Sequence, residues 1–396
     1  MNVSRSGGRR RLVSGPVTAV GTTTMLLAVA AYVAGWQLGW IELLVVAAAC
    51  LTALVLAVPF ILGRSRVEIE RRLEHDRIAV GDDVEVDLVA TNPGRSPNRR
   101  LELEERVGGG TLDFIVPTLS PGTSQVIPYR LTPPKRVKLT LGPSVLSRSD
   151  PLGLLRRSVP QSDVDVCWVY PRSVLLAPLP VGFAKDLEGP TSDASPAGDV
   201  AFHAVRPYNT GDDRRHIHWL STAKTGELMV RHYVDNRRPH LAVFLDVNGA
   251  EYTDETFEVA VSCAASMAAS MIDQRLPVSV RLGANQVIGS RQPGDRHTAL
   301  EAFTECSTVN GDPTDMVVDV AEYVRFERGA SAIAIVTGRR SADELLATVV
   351  HARRHARVIV VSVAPPGEGI VALPGARVIQ APDLTTFAHG WAALVS

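Results

Sequence analysis

The residues whose types and spacing can do chemistry are concentrated in one segment, 206–231, which we call the signature segment. It contains His216 and His218 two positions apart, with Asp212 and Asp213 shortly before them. On a strand, residues two apart point to the same side, so both imidazoles and one carboxylate can bind one metal ion. A metal-dependent hydrolase using His216, His218 and Asp212 is therefore one interpretation, although no second His or Asp cluster stands out in the sequence.

Two further interpretations of the signature segment need no metal. In the first, Asp212 pairs with Arg214 or Arg231 while Trp219 packs under a sheet, because arginine suits bidentate pairing with carboxylates. In the second, the segment is a docking surface for another protein, because Trp, Tyr and Arg dominate the energetics of interfaces. These two interpretations are compatible. Since no complete catalytic set stands out, we expect a non-enzymatic protein without a small-molecule substrate or cofactor.

The length of the chain limits its number of domains, and its charge limits the partners that it can have. With 396 residues, it is long enough for two soluble domains and an anchor. Its 41 basic and 42 acidic residues give a net charge of -1, so no global field favours nucleic acid as a partner. Its four scattered cysteines form no C-x-x-C pair and are typical of reduced thiols in a reducing compartment.

The N-terminal region has the composition of a membrane anchor. Residues 17–62 contain no Lys, Arg or Asp, and their one formal charge is Glu42. A membrane-spanning helix needs about 20 apolar residues, so the stretch predicts two spans, at about 17–34 and 43–62. The turn between them carries Trp36 and Trp40, which suit the headgroup boundary.

Arginines near both ends of this hairpin predict its orientation. None lies in the turn, and the flanking residues are Arg5, Arg9, Arg10, Arg11, Arg64, Arg66, Arg71 and Arg72. The positive-inside rule therefore predicts a multi-pass plasma-membrane protein with residues 1–16 and the whole soluble region in the cytoplasm. A cleaved signal peptide is the competing interpretation, and an adhesion role on the envelope side would require the opposite topology.

Residues 67–170 alternate apolar and polar positions in short runs such as 84–89 and 137–141, separated by turns rich in Pro and Gly. This pattern predicts an antiparallel β-sandwich of immunoglobulin or fibronectin type, with its charged residues on solvated strand faces. Residues 171–205 then predict a linker, because 177–201 is crowded with Pro, Gly, Ser and Asp.

The last part of the chain, 206–396, alternates buried strands with helices. Continuous apolar runs at 240–246, 332–337 and 357–363 are typical of strands covered on both faces. Helical patterns separate them, and Ser341 to Glu344 has the form of a capping box. This order predicts a doubly wound α/β domain.

A family resemblance rests on particular residues of the signature segment, namely Tyr208, Gly211, Asp212, Arg214, Ile217, Trp219, Thr222, Ala223, Lys224, Leu228, Val230 and Arg231. Together with the runs 150–154 and 170–172, they resemble the membrane-anchored bacterial family called domain of unknown function 58. The resemblance implies a von Willebrand factor A-like α/β domain and a partner among the MoxR-type AAA ATPases. It implies no established enzymatic activity.

The von Willebrand factor A-like fold often carries a magnesium site built on a D-x-S-x-S turn and a second acid. Here the turn provides Asp246 and Asn248, but Ala250 replaces the last hydroxyl and Gly338 stands where the second acid is expected. A hard divalent cation wants about six oxygen ligands. We therefore expect a degenerate site with weak or no magnesium binding, and a membrane-tethered scaffold that recruits a cytoplasmic AAA ATPase.

Overall fold

The computed structural model describes residues 16–62, 67–98, 100–179, 200–209, 217–235, 239–289, 295–310, 315–326, 329–365 and 367–395, without the side chains of 200–204, 231–235 and 315. The chain divides into two compact units, Met1–Tyr170 and Pro171–Ser396.

The first unit begins with two helices, α1 (Ala19–Leu38) and α2 (Ile41–Leu62), that pack together as a hairpin. α1 ends because Gly39 adopts a left-handed conformation and donates its N–H to the carbonyl of Gly35. The connection is thus shorter than the predicted turn, and α1 continues past the predicted end of its span. Both helices are long and apolar enough to cross a membrane, a property that anchors share with signal sequences.

Two β-sheets follow in the first unit. The first has the antiparallel order β1-β3-β6, made of β1 (Glu68–Leu73), β3 (Val84–Thr91) and β6 (Ser124–Leu131). The second has the order β2-β9-β7-β4-β5, with β8 paired to β7, and is made of β2 (Arg77–Ala79), β4 (Leu101–Val107), β5 (Gly110–Val116), β7 (Val137–Ser149), β8 (Arg156–Pro160) and β9 (Asp165–Tyr170). Apart from the parallel pair β2 and β9, its strands are antiparallel.

Residues of both sheets share one apolar core. Leu88 and Ala90 of β3 pack in it with Leu101 and Leu103 of β4, as the period-two alternation predicts. The same alternation turns Glu105 inward, where it is fully buried.

Arg71 is the buried partner of Glu105. Its Nε donates to Glu105 Oε1 at 2.8 Å, and its Nη1 lies 2.6 Å from Asp165. The expectation that every charged residue of this region lies on a solvated strand face is therefore wrong for this pair. Arg71 is also one of the arginines that flank the hairpin in the sequence, yet its side chain is only 1% exposed.

The second unit contains an antiparallel pair of strands and a larger sheet. The pair consists of β10 (Val200–Pro207) and β11 (Met229–Asp235), with helix α3 (Trp219–Thr225) between them in the chain. The remaining elements are β12 (Leu241–Leu245), α4 (Asp254–Asp273), β13 (Val278–Leu282), β14 (Asn285–Ile288), α5 (Arg296–Glu305), α6 (Asp315–Phe326), β15 (Ala332–Thr337), α7 (Ala342–Ala352), β16 (Arg357–Ser362), β17 (Ala376–Gln380) and α8 (Leu384–Val395).

The larger sheet has the order β14-β13-β12-β15-β16-β17 and is parallel except for β14. Helices α6 and α7 share a core with β12, β15 and β16. Helix α4 packs on β12, β13 and β15 and also contacts α5 and α8. The order of strands reverses between β12 and β15, and ligands of such sheets commonly bind outside the strand ends at this switch point.

Helix α4 carries the apolar face that the sequence predicts, since Phe257, Val261, Ala264 and Ala268 are buried. Its N-cap is Thr253, because the hydroxyl of Thr253 accepts a hydrogen bond from the backbone N–H of Thr256 at 3.2 Å.

Residues 171–179, where the sequence predicts a linker, lie against α4 and α8. The backbone N–H groups of Val174 and Leu176 donate to the hydroxyls of Ser266 and Ser270, each at 3.0 Å. Ala177 accepts a hydrogen bond from the indole of Trp391 at 2.9 Å. This segment packs as part of the second unit, while residues 180–199 lie outside the described residues.

Candidate functional site

A buried ion pair occupies the switch point between β12 and β15. Asp246 follows β12 and is 2% exposed, and Arg340 comes shortly after β15 and is 3% exposed. Arg340 donates from Nε and Nη2 to Asp246 Oδ2 at 3.0 and 2.9 Å. Thr337, the last residue of β15, donates its hydroxyl to the same oxygen at 3.0 Å. The other carboxylate oxygen accepts the backbone N–H of Asn248 at 3.1 Å.

This arrangement meets the electrostatic needs of a buried carboxylate without a metal ion. Removing a charge from water costs several kcal/mol unless an opposite charge and hydrogen bonds compensate for it. Arg340 supplies the positive charge, and the three hydrogen-bonding partners between them use both oxygens of Asp246. A divalent cation at Oδ2 would have to displace the guanidinium, and at Oδ1 it would share the oxygen with the N–H of Asn248 beside a positive charge.

The neighbouring positions do not fit a divalent cation either. The side-chain oxygen of Asn248 accepts the backbone N–H of Ala250 at 3.2 Å, which stabilises the turn itself. At Gly338, a Cβ atom would lie 2.1 Å from the carbonyl oxygen of Glu251. That carbonyl accepts the backbone N–H of Arg339 at 3.0 Å. Close backbone approach therefore requires glycine where the magnesium-binding pattern has its second acid.

Two titratable groups lie beside the ion pair. Burial and the Asp246 carboxylate raise the pKa of Tyr252 well above its ordinary value, against the opposing charge of Arg340. The hydroxyl of Tyr252 donates to the carbonyl of Val336 at 3.5 Å. Burial also raises the pKa of Glu251, which Arg340 again opposes. Tyr252 thus stays protonated in the physiological range, and it makes a structural contact.

The signature segment forms a second feature, around α3. Before the helix, Ile217 forms a bridge with Val230 of β11. His218 is the N-cap, since its Nδ1 accepts the backbone N–H of Ser221 at 3.3 Å. The hydroxyl of Thr222 accepts the backbone N–H of Met229 at 3.0 Å, which ties α3 to β11.

The described residues of the signature segment differ from two of the predicted arrangements. Trp219 opens a helix with its side chain outward and is 68% exposed, so the prediction that it packs under a sheet is wrong. His218 caps that helix, so it does not lie on the strand that the metal-site interpretation requires. Leu220 is 71% exposed, and α3 buries none of its residues.

The remaining predicted residues are distributed as follows. Tyr208 donates its backbone N–H to the carbonyl of Leu228 at 2.8 Å, Ala223 and Lys224 are exposed on α3, and Arg231 belongs to β11. Gly211, Asp212, Arg214 and His216 lie outside the described residues. Within the described part of the chain, no group of three or more His, Cys, Asp or Glu residues is placed to hold a metal ion.

The sequence interpretation identified Asp246 and Asn248 but missed Arg340 and Thr337. A signal was present, because Arg339 and Arg340 follow directly on a buried parallel strand. Parallel strands bring their carboxyl ends to the same edge of a sheet, so a basic residue there is available to an acid at the end of the next strand.

The fold and the site define an α/β unit in which a buried ion pair occupies the switch point of the sheet. An exposed helix, α3, precedes that sheet in the chain. Residues 204–387 match the model of the family described as "Protein of unknown function DUF58". The match covers the whole signature segment and most of the α/β unit, and it supports the resemblance drawn from the sequence. No curated protein matches the chain.

Solved structures are similar to the chain only at a low level. The CARDB domain of the PF1109 protein from Pyrococcus furiosus is 15% identical with a TM-score of 0.21, over 26% of this chain and 91% of that one. The sporulation control protein Spo0M from Bacillus subtilis is 16% identical with a TM-score of 0.17, over 26% of this chain and 49% of that one. The protein named "putative beta-galactosidase" from Bacteroides fragilis is 11% identical with a TM-score of 0.20, over 75% of this chain and 38% of that one. None of these likenesses carries an argument about fold or function.

Proposed function

We propose that this protein is a membrane-tethered, non-enzymatic scaffold or assembly factor that recruits a cytoplasmic partner, a MoxR-type AAA ATPase. Helices α1 and α2 are its anchor, the strand-rich region is an immunoglobulin-like spacer, and the α/β unit is a von Willebrand factor A-like recruitment domain. The observation that carries the docking role is the exposure of Trp219 and Leu220 on a helix that is fixed at both ends.

The geometry of α3 suits a docking element. His218 caps its first turn, Thr222 joins it to β11, and Gly226 ends it in a left-handed conformation. The two large apolar side chains are therefore held outward by a defined backbone. A preorganised aromatic anchor loses less conformational freedom on binding than a mobile one.

The ion pair between Asp246 and Arg340 supports a role that needs no metal. A carboxylate whose oxygens already accept from Arg340, Thr337 and Asn248 is poorly placed to bind a cation or to act as a base. The strand order, which reverses between β12 and β15, supports the doubly wound assignment on which the von Willebrand factor A-like proposal rests.

The proposed orientation places the strand-rich region and the α/β unit in the cytoplasm. It is supported by the flanking arginines, of which Arg64 and Arg66 directly follow α2. Arg71 does not add to the positive charge at this end of the hairpin, because it is buried against Glu105. Trp36 and Trp40 are exposed at the opposite end of the hairpin, where they suit the other headgroup boundary.

The proposal is tested by co-purification of the full-length protein with the AAA ATPase from detergent. Truncating an aromatic hot spot commonly costs about 2 kcal/mol or more, so we expect Trp219→Ala to reduce ATPase recovery by about thirtyfold. Arg214→Ala tests the preceding part of the segment. Val371→Ala is the matched control, since Val371 is 72% exposed elsewhere in the same unit.

ATPase recovery is measured by immunoblot at equal amounts of folded scaffold. Recovery that is unchanged in Trp219→Ala and Arg214→Ala would contradict the docking role of the signature segment. Equal loss in Val371→Ala would show that the effect is not specific to α3.

A further inference from the structure

A short turn between β7 and β8, residues 150–155, pairs several of its backbone N–H groups internally. Asp150 is 5% exposed, and its two carboxylate oxygens accept the backbone N–H groups of Leu152 at 2.9 Å and Leu155 at 2.6 Å. Its carbonyl accepts the N–H of Gly153 at 3.0 Å. Pro151 has no N–H to satisfy. Pairing of these donors lowers the cost of removing the turn from water.

The same turn is in direct contact with the helical hairpin. Leu154 and Leu155 are buried in one apolar cluster with Ala57 of α2, which Ala53, Leu54, Ile61 and Val17 surround. Thr18, the N-cap of α1, donates its backbone N–H to the carbonyl of Leu154 at 3.0 Å. The approach is so close that a Cβ at Gly21 would lie 2.1 Å from that carbonyl oxygen.

These contacts determine how deep the turn lies along the hairpin. The N-terminus of α1 and the C-terminus of α2 are at the same end. Ala57 is five residues before the end of α2, or about 7.5 Å at 1.5 Å per residue. α2 as a whole extends about 33 Å, close to the hydrocarbon thickness of a bilayer. The turn thus lies level with the last turns of the span.

Leu152 is an exposed apolar residue at this level. Its side chain is 64% exposed, while its neighbours Leu154 and Leu155 are covered by the hairpin. The turn residues after Asp150 include no charged side chain. An exposed leucine beside the end of a membrane-spanning helix meets lipid as its surroundings.

We propose that the 150–155 turn is a further membrane contact of this protein, in which Leu152 inserts at the boundary between headgroups and acyl chains. The occupant of this surface is the bilayer, because the turn is continuous with the proposed anchor through Thr18, Leu154 and Leu155. The inference rests on the proposed anchoring of α1 and α2. Its consequence is that the strand-rich region is held at the membrane surface by the turn as well as by the chain connection.

The test uses the full-length protein in vesicles of phosphatidylcholine and phosphatidylglycerol. Cys50→Ala and Cys306→Ser remove the cysteines that are not buried. Single cysteines are then introduced as Leu152→Cys, Leu56→Cys and Val137→Cys and labelled with an environment-sensitive fluorophore. Quenching by lipids with a nitroxide near the headgroup is measured for each site.

The two further positions make the result specific. Leu56 is 63% exposed on α2 and reports whether the hairpin is in the bilayer. Val137 is 39% exposed at the start of β7, the strand whose other end leads into the turn. Val137 lies twelve residues from the end of the strand, at about 3.3 Å per residue. It is therefore the control for an exposed apolar position away from lipid.

We expect quenching of at least twofold at positions 152 and 56 and none at position 137. Quenching at 56 without quenching at 152 would overturn the proposed contact while leaving the anchor intact. Absence of quenching at 56 would overturn the anchor and, with it, this inference. A signal at 152 that depends on protein concentration and not on the nitroxide lipid would identify a second copy of the chain as the occupant and would also overturn it.

Discussion

The substitution Arg340→Met tests the buried ion pair of the α/β unit. Methionine keeps much of the apolar volume of the side chain but removes the charge and both donors to Asp246. The carboxylate, 2% exposed, would keep the hydrogen bonds of Thr337 and Asn248 without a compensating charge. Removing one partner of a buried pair costs about 3–5 kcal/mol. At about 1.4 kcal/mol per tenfold, this predicts a loss of two to four powers of ten in stability.

The assay is hydrogen exchange of the full-length protein in detergent, followed by mass spectrometry of peptides that contain β12 and β15. Local protection reports the opening free energy of each element without requiring that both units unfold together. We expect exchange of these two strands to accelerate by a factor of about a hundred or more in Arg340→Met, corresponding to the lower end of the cost.

Arg339→Met is the matched control. Arg339 pairs with Glu368 at 2.9 Å, but the two side chains are 44% and 54% exposed. Exposed pairs contribute about 0–1 kcal/mol, so this variant should change protection little. The double variant Asp246→Asn with Arg340→Met removes the unpaired charge and should recover much of the loss. Equal protection in Arg340→Met and Arg339→Met would show that Arg340 does not compensate the buried charge of Asp246.

Three further predictions follow from other contacts. Arg71→Met should destabilise the strand-rich unit by about 3 kcal/mol or more, because Glu105 is fully buried, whereas Arg72→Met should be close to neutral, because Arg72 and Glu70 are exposed; exchange of β4 peptides measures both. Burial raises the pKa of Cys167 from 9.0 to about 11, so the folded state resists ionisation and stability should fall as the pH rises from about 9 to 11. The melting temperature should fall more steeply with pH across this range in the wild type than in Cys167→Ala, and identical slopes would contradict the prediction. Gly338→Ala should cost about 1–3 kcal/mol because its Cβ meets Glu251, whereas Gly109→Ala meets nothing within 4 Å and should be near neutral in the same unfolding assay.

Much of the α/β unit follows from local sequence patterns. The continuous apolar run of β15, Ala332–Thr337, coincides with its observed bounds, because every residue of a covered parallel strand is buried. The apolar face of α4 also follows from the spacing of its apolar residues in the sequence. The short helix α3 was missed, because it buries no residue and therefore leaves no apolar periodicity in the sequence.

The sites depend on contacts that local patterns do not contain. Arg340 and Asp246 are 94 positions apart, and the pairing exists only because β12 and β15 are neighbours in the sheet. Arg71 and Glu105 meet across two sheets in the same way. In each case a charged residue looks solvated in its own strand or loop, and tertiary packing decides that it is buried.

Titration of the full-length protein with Mg²⁺ and Mn²⁺, measured by isothermal calorimetry, tests whether the Arg340 guanidinium neutralises Asp246 in place of a divalent cation. We expect no binding in the micromolar range for either ion. A micromolar Kd that is abolished by Asp246→Ala would contradict it.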